Sequence, residues 1–382
     1  MAKKDKNQKK SYLLLKTLAC ILAFIISTVG SFAFGFISSF LDKDESDVTL
    51  GSLSIHVMQL GNKDNGDSIY IKAGDVDILV DGGSAADSVD TIKTYVNQYC
   101  TDGILEYVIV THADLDHIAA FAGTTQENTS LFDFYKCGTI IDFALTDKTS
   151  NAYYRYIEKR DNEVANDGAV HYTVLQCWNN ADGAQRVYDL GSNITLEFLY
   201  QEFYENRSDD ENNYSVCFML KHGDKNFLFT GDLEEDGEES LVESNTLCEV
   251  EFFKAGHHGS KTSSNDVLLD VIKPKICVAS CAAGNVQYLT SGTQNLHNTF
   301  PTQAFIDRIS KHTTQVYVPT YAEIEMRDGR WKNSGAYGAL NGDIVITSKS
   351  GNVTVECSNN NTLLKDTQWF ADNRDMPTSW AN

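Results

Sequence analysis

The chain has 382 residues, long enough for two ordinary domains or one large α/β domain. Hydrophobic residues make up 42% and charged residues 22%, a globular composition that excludes a disordered chain, a collagen and a polytopic membrane protein. The net charge of -22 opposes the binding of a phosphate backbone through bulk charge, so any action on a phosphate ester must depend on a local site.

The N-terminal region carries a long hydrophobic run. Residues 17–41 contain no charged side chain, which is enough to span a hydrocarbon core about 30 Å thick. Six lysines and one aspartate precede this run and an acidic segment follows it, so residues 1–16 are expected in the cytoplasm and the rest outside. We therefore expect a single-pass anchor in the cell membrane and a linker at 42–50. A cleaved signal peptide, which would give a secreted protein, is the alternative.

From residue 51 onward, short runs rich in β-branched residues alternate with helical stretches, in two halves. In the first half, strands are predicted at 53–61, 68–74, 75–83 and 105–112, and a helix at 88–100. In the second half, strands are predicted at 194–201, 213–223, 225–232, 249–260, 275–281, 315–321 and 343–357, with helices at 238–244 and 302–310. This pattern predicts an α/β fold with two sheets packed face to face and helices outside. We expect the domain to cover 51–357 and a polar, peripheral tail to cover 358–382.

The strongest chemical signal follows the strand predicted at 105–112. His112, Asp114, Asp116 and His117 fall within six residues. A loop at a strand end can turn all four side chains toward a pair of cations, which a helix could not do. The alternative is an acidic surface turn with two incidental histidines, but three further clusters of metal-capable residues occur in the chain.

Two of those clusters also end predicted strands. Asp232 follows Gly231, which permits close backbone approach, and a carboxylate at this position could bridge two metals. His257 and His258 end another strand, where neighbouring side chains point to opposite sides, so one is expected to face the site while the other packs. Ser260 precedes a predicted helix and could present backbone N–H groups to an anion.

Taken together, these motifs resemble the metallo-β-lactamase superfamily, whose signature is HxHxDH. The chain has HxDxDH at 112–117, LxTGDxE at 228–234 and GHHGS at 256–260. This set is similar to the extracytoplasmic metallo-hydrolase domain of the competence protein ComEC and its stand-alone relatives, and in layout to exported phosphorylcholine esterases. LVDGG at 79–83 and the DIVIT strand are smaller matches. The resemblance implies an αββα sandwich, the metallo-β-lactamase fold.

The resemblance also implies two divalent cations, zinc or manganese. The metal ligands that it implies are His112, Asp114, Asp116, His117, Asp232 and His297. The first two would bind one metal and the next two the other, with Asp232 as the bridge. The last family ligand is a histidine at a late strand end, and His297 fits that position best.

Two departures from the family pattern affect these metal sites. Asp114 stands where the family has its second histidine, and a carboxylate moves the expectation from zinc alone toward manganese, iron or magnesium. The family histidine between the first cluster and Asp232 has no match here, since Asn213 and Ser215 occupy the comparable stretch.

The implied function is hydrolysis of phosphodiester bonds, as a nuclease or as a hydrolase of small phosphoesters. Two cations about 3.5–4 Å apart would hold a bridging hydroxide that attacks phosphorus in line. Asp116 would belong to this catalytic centre, and His257 or His258, as imidazolium, would donate a proton to the leaving group. His257 could also be a direct ligand. The expected substrate contacts are Asn213, Glu234, Ser260 and Lys261.

Three alternatives concern the substrate and the class of protein. The likeness to ComEC favours DNA, but the net charge favours a small or surface-linked phosphoester. A lactone, ester or phosphorylcholine-type hydrolase is a second possibility. A third is an exported, non-catalytic binding module stabilised by one metal. The aromatic stretch at 153–156 could stack bases, although such a stretch more often packs a helix. The sequence indicates no protein partner.

Overall fold

Our computed structural model describes residues 51–287, 289 and 294–381. The expected cytoplasmic tail, membrane anchor and linker lie outside these residues. Within the described ranges, no helix combines the length and the apolar character needed to span a bilayer.

The described residues form strands and short helices in alternation. The strands are β1 Leu53–Val57, β2 Ile69–Ala73, β3 Val76–Val80, β4 Ile104–Ile109, β5 Lys136–Asp142, β6 Val170–Thr173, β7 Val187–Asp189, β8 Ile194–Leu199, β9 Cys217–His222, β10 Lys225–Phe229, β11 Phe252–Lys254, β12 Ile276–Val278, β13 Ala282–Ala283, β14 Gln315–Tyr317, β15 Thr320–Arg327, β16 Arg330–Ala339, β17 Ile344–Lys349 and β18 Asn352–Cys357. The α-helices are α1 Ser88–Val96, α2 Leu115–Ala122, α3 Asn151–Asn162, α4 Val174–Asn179, α5 Glu235–Ser244, α6 Asp266–Ile272, α7 Gln303–Ile309 and α8 Gln368–Asn373.

Two large sheets make up most of the strand content. The first has the order β18-β17-β1-β2-β3-β4-β5-β6, and its strands from β3 to β6 run parallel. The second has the order β14-β12-β11-β10-β9-β8-β7, and its strands from β14 to β10 run parallel. Parallel strands place their carboxyl ends at a common edge of each sheet, so the turns that follow these strands can meet.

The second sheet is buried on both faces, as β9 illustrates. Phe218 and Leu220 belong to a core that also contains residues of the first sheet, such as Ile55. Cys217 and Met219 alternate with them and belong to a second core with residues of α5, α6 and α7. This alternation follows from the two-residue period of a strand. The sheets therefore pack on each other with helices outside, a mixed α/β fold that is consistent with the expected αββα sandwich.

The segment after residue 357 corrects our expectation of a polar, peripheral tail. Leu364, Phe370 and Trp380 are buried in the second core, and the Trp380 indole N–H donates to the Thr313 carbonyl at 2.8 Å. Three widely spaced apolar side chains are enough to attach a segment whose average composition is polar.

The long hairpin formed by β15 and β16 was not predicted beyond its first residues. These two strands, with β13, form a third and smaller sheet. The β16 sequence RWKNSGAYGA lacks the alternation of apolar and polar residues that marks a half-buried strand, and much of the strand is exposed.

Candidate metal centre

The residues that could bind metal follow the carboxyl ends of strands from both large sheets. His112 and His117 follow β4 of the first sheet, while Asp232 and His258 follow β10 and β11 of the second. The Asp232 carboxylate lies 3.1 Å from the Nε2 atom of His117. The two sheets therefore contribute to one site at a shared edge.

We call Asp116, His117, Asp232 and His258 the inner group. The Oδ2 atom of Asp232 lies 3.1 Å from His117 Nε2 and 3.2 Å from His258 Nε2, and the latter nitrogen lies 3.4 Å from Asp116 Oδ2. Both imidazoles are fully buried, and Asp232 is almost as buried. Two imidazole nitrogens and two carboxylates thus converge on one small volume.

Hydrogen bonds on the far side of each imidazole orient these rings. His117 Nδ1 lies 2.8 Å from Asp81 Oδ2, and His258 Nδ1 donates to the Ser280 carbonyl at 2.8 Å. Asp81 is itself held by the Thr111 backbone N–H and hydroxyl, both at 2.8 Å. Because the outer partners hold both rings at Nδ1, both Nε2 atoms face Asp232. Such outer partners are usual behind metal-binding histidines.

The donor atoms of this site fit a divalent cation. Within the part of the chain that the structure describes, the Nε2 atoms of His112, His117 and His258 are buried and make no well-formed hydrogen bond, although those of His117 and His258 lie within ion-pair distance of carboxylates. Buried polar atoms usually make hydrogen bonds, so three imidazole nitrogens without one at the same site call for an explanation. Imidazole nitrogen and carboxylate oxygen are common ligands of zinc, manganese and iron. This buried cluster of aspartates and histidines could hold a metal.

The charged side chains of the site shift one another's pKa values. Burial lowers the pKa of His112 well below its ordinary value, and the neighbouring His117 adds to this effect. Burial also opposes the charging of His117 and His258, but the Asp232 carboxylate raises the pKa of both well above the ordinary value. Although burial alone would raise the pKa of Asp232, the two imidazoles hold it well below its usual range. The site is therefore strongly polarised around Asp232.

Two tight turns deliver the second-sheet residues. Gly231 has a φ of +54°, and a Cβ atom there would lie 2.8 Å from Ser215 Oγ and 2.9 Å from Thr111 Cβ, so glycine is required for the close approach. His257 and His258 both have positive φ, 43° and 56°. They lie in a turn after β11 and not on the strand itself, which corrects the alternation that we expected. Left-handed conformations in non-glycine residues are costly and often mark functional sites.

His257 and His258 nevertheless contact different residues, although they are adjacent in sequence. His258 points into the inner group, whereas His257 Nδ1 lies 3.1 Å from Glu234 Oε1. The same Glu234 oxygen accepts a hydrogen bond from the Thr262 hydroxyl at 2.7 Å and from Asn212 Nδ2 at 3.3 Å. His257 is thus held beside the inner group by an oriented carboxylate.

The two remaining residues of the first cluster differ from the inner group. His112 is fully buried and its ring centroid lies 4.1 Å from that of His117. Asp114 Oδ2 lies 3.7 Å from His112 Nε2, but its other oxygen contacts the ammonium group of Lys148. We call Asp114 and Lys148 the rim pair, since about a third of each side chain is exposed.

Several predicted residues are not among the side chains that contact one another in the inner group. His297 is half-buried in a short turn, Leu296–Asn298, and His258 takes the place in the cluster that we expected for it. The Ser260 backbone N–H donates to the His257 carbonyl, and α6 begins only at Asp266, so this amide does not face an anion site. Lys261 is exposed on the same turn.

The polar residues in the stretch before β9 support the backbone. Asn213 Oδ1 accepts a hydrogen bond from the Glu234 N–H at 3.2 Å. Ser215 Oγ accepts one from the Asp232 N–H at 3.0 Å and lies 3.4 Å from His112 Nδ1. Asn213 therefore positions Glu234, where we expected it to contact substrate.

Three charged residues of the site were not predicted. Asp67 lies after the β1 strand, Asp81 directly after β3, and Lys254 ends β11. Asp81 could have been found, because an aspartate directly after an apolar strand and before two glycines is typical of a tight turn. The structure gives Asp81 a positive φ and places its strand parallel to β4. Burial raises the pKa of Asp67, but Lys254 and His258 outweigh burial and lower it to about 2.

The comparison with protein families agrees with the motifs. Residues 209–282 match the family model described as the Metallo-beta-lactamase superfamily. This segment contains Asp232, His257 and His258, the second-sheet residues of the site. The resemblance inferred from the motifs is confirmed.

Curated relatives are competence and recombination proteins. The chain is 35% identical over 122 residues to "Competence protein ComA" of Neisseria gonorrhoeae. This match covers 31% of this chain and 16% of that protein. It is 31% identical over 75 residues to "ComE operon protein 3" of Bacillus subtilis, and 32% identical over 75 residues to "Recombination protein 2" of Haemophilus influenzae. Each of these two matches covers 20% of this chain, with 10% and 9% of the respective relative. The chain thus spans less than a fifth of the length of these relatives.

Two solved structures are similar at low sequence identity. The metallo-beta-lactamase fold protein YhfI from Bacillus subtilis is 14% identical, with a TM-score of 0.34 over 53% of this chain and 70% of that chain. CmlA, a diiron beta-hydroxylase from Streptomyces venezuelae, is 10% identical, with a TM-score of 0.34 over 60% of this chain and 44% of that chain.

Proposed function

We propose that this chain is a metal-dependent hydrolase of phosphodiester bonds that works outside the cytoplasm, attached to the membrane by its N-terminal segment. One observation carries the proposal. The buried Nε2 atoms of His112, His117 and His258 make no well-formed hydrogen bond within the described ranges, and two of them lie within ion-pair distance of Asp232 Oδ2, at 3.1 and 3.2 Å. The membrane attachment depends on the uncharged run at 17–41 and its flanking charges.

Divalent cations are the cofactor that this donor set suits. Asp116, His117, Asp232 and His258 would hold one cation, and His112 with Asp114 would hold a second. When bound, such cations act as Lewis acids and lower the pKa of water to near neutrality. They would also neutralise part of the carboxylate charge, which lets an acidic chain accept an anionic phosphate.

The chain's own residues would orient the substrate and deliver a proton. Glu234 engages His257 at Nδ1, so the other ring nitrogen is the atom suited to donate a proton to the leaving oxygen. Glu234 would stabilise the imidazolium that this role requires, as a carboxylate does behind a catalytic histidine. Lys148, at the rim, would attract the phosphate group.

DNA and small phosphodiesters are the two substrate classes to separate. The names of the relatives, which refer to competence and recombination, favour DNA. The net charge of -22 favours a compact substrate that needs few contacts outside the site. A phosphorylcholine-type ester or a lactone would bind at the same site and would be hydrolysed by the same Lewis-acid chemistry.

A second candidate function is supported by the rim pair. Asp114 contacts Lys148, and the stretch with Asn213 and Ser215 offers no imidazole to this side of the site. A chain that holds only one cation, in the inner group, would suit a metal-stabilised binding module.

The test is hydrolysis of bis(p-nitrophenyl) phosphate by the purified full chain with added Mn²⁺ or Zn²⁺. We expect metal-dependent turnover in the wild type and its loss in Asp116→Ala, because this change removes a carboxylate from the inner group. The Asp116 side chain is 15% exposed, so we expect the variant to fold. The circular dichroism spectrum of the variant should match that of the wild type.

Two results would contradict the proposal. Full activity of Asp116→Ala would exclude the inner group as the catalytic centre, and one bound metal without turnover would favour the binding module. Parallel assays with linear DNA, a phosphorylcholine ester and a lactone would then identify the substrate class.

A further inference from the structure

A lysine lies buried against the inner group. Lys254, the last residue of β11, is 1% exposed, and its ammonium group contacts the Asp67 carboxylate. The same nitrogen lies 3.4 Å from Asp232 Oδ1 and 3.3 Å from the Gly231 carbonyl. Lysine is almost never fully buried unless it is paired, so a burial this complete indicates a specific task.

The two carboxylate oxygens of Asp232 have different partners because of Lys254. Oδ1 faces the ammonium group, whereas Oδ2 faces the Nε2 atoms of His117 and His258. The backbone N–H of Asp232 is fixed by Ser215. With the backbone and one oxygen held, the carboxylate presents a single defined oxygen to the imidazoles.

Asp67 lies behind the imidazoles and not between them. Its carboxylate is 3.4 Å from His258 Nδ1 and 3.9 Å from His117 Nδ1, whereas both Nε2 atoms point the other way, to Asp232. Its backbone N–H donates to the Asp116 carbonyl at 3.1 Å. Although Asp67 can be grouped with His117, Asp232 and His258 by distance, it faces their outer side.

We propose that Lys254 and Asp67 form a positioning pair for the metal centre, which fixes Asp232 so that only Oδ2 is offered to a cation. Asp67 fixes Lys254, and Lys254 fixes Asp232. As an ion pair the two residues add no net charge to the site, so they shape it without competing with a cation. The inference rests on the proposed function only in that the inner group binds metal.

The test measures binding of Mn²⁺ and of Zn²⁺ alone to the metal-stripped full chain by calorimetry. The main variant is Lys254→Met/Asp67→Asn, which removes the pair together, since Lys254→Met alone would leave two buried carboxylates unpaired. The matched control is Arg160→Met/Asp142→Asn, an ion pair of 2.8 Å with side chains 14% and 1% exposed, between α3 and the end of β5.

We expect the Lys254→Met/Asp67→Asn variant to bind metal about 10–100-fold more weakly, the cost of losing an outer partner of a metal ligand. The melting temperature of its metal-free form should fall no further than that of the control, whose metal affinity should stay within about twofold of wild type. Unchanged metal affinity in the main variant would overturn the proposal. So would a metal-free form far less stable than the control, because the pair would then be structural.

The readout separates this inference from the proposed function. If the wild type binds metal but hydrolyses no ester, the proposed function fails, while the affinities of the two double variants still decide the role of Lys254. If the wild type binds neither Mn²⁺ nor Zn²⁺, both proposals fail.

Discussion

The inner group and the rim pair lie in the same site but are held in different ways. His117, Asp232 and His258 are at most 2% exposed, and each is fixed by hydrogen bonds or ion pairs from elements of both sheets. Asp114 and Lys148 contact each other, with about a third of each side chain exposed. A buried ligand set with fixed partners has little freedom to adapt, whereas an exposed ion pair can exchange its partner for solvent, a cation or a substrate.

From this difference in burial and contacts we infer different tasks for the two regions. The inner group has its donor atoms aligned by outer partners, which is how proteins define a metal position. Under the proposed function, the rim pair would provide charge at the exposed edge of the site, where a substrate would approach. Substitutions in the inner group should therefore affect metal binding itself, and substitutions in the rim pair should affect selectivity and substrate affinity.

The largest effect is expected from Asp232→Asn. The change keeps the shape of the side chain but removes the charge that two imidazoles and Lys254 surround. We predict that metal affinity, measured by calorimetry, falls by more than about 100-fold, because the loss of a ligand should cost more than the 10–100-fold cost of losing an outer partner.

The control for this prediction is Asp142→Asn. Asp142 is also a buried carboxylate beside an imidazole, 2.7 Å from His171, and it also contacts Arg160 and Tyr156. This variant should be less stable than the wild type but should bind metal normally. Equal losses of metal affinity in both variants would show that the inner group is not the binding site.

An intermediate effect is expected from Asp114→His, which restores the histidine of the family signature. Because imidazole suits zinc better than carboxylate does, the ratio of Zn²⁺ to Mn²⁺ affinity should rise roughly tenfold, or about 1.4 kcal/mol. Metal content after incubation with both ions would measure this change. An unchanged metal profile would mean that Asp114 is not a ligand and belongs only to the rim.

The smallest effect is expected from Lys148→Ala. Exposed ion pairs contribute up to about 1 kcal/mol, so the melting temperature should change little and KM for an anionic diester should rise by no more than about fivefold. Steady-state kinetics at low and moderate ionic strength would measure this. Complete loss of turnover would place Lys148 among the catalytic residues and would end the distinction between the two regions.

The parts of the site that are local in sequence could be predicted. The cluster at 112–117 and the Gly231-Asp232 turn follow apolar strands, and a strand end is readable from composition and period. Most strands of both halves were predicted for the same reason, but β5, β6 and β7 were not. The long hairpin of β15 and β16 was missed because its exposed strands bury too little to leave an alternating pattern.

The parts that depend on three-dimensional contact could not be predicted. Sequence order alone favoured His297 over His258, since only the positive φ of the 256–259 turn aims His258 inward. Lys254 reads as an ordinary residue at a strand end, and its contact with Asp67 joins positions 187 residues apart. No periodic or compositional signal marks such a pair.

The most direct test is anomalous diffraction from crystals of the full chain grown with Mn²⁺. The account predicts a peak within about 2.0–2.2 Å of His117 Nε2, His258 Nε2 and Asp232 Oδ2, the range of bonds from nitrogen and oxygen ligands to a divalent metal. A structure that binds Mn²⁺ elsewhere, or that keeps these three atoms in contact with one another and without metal at saturating Mn²⁺, would contradict it.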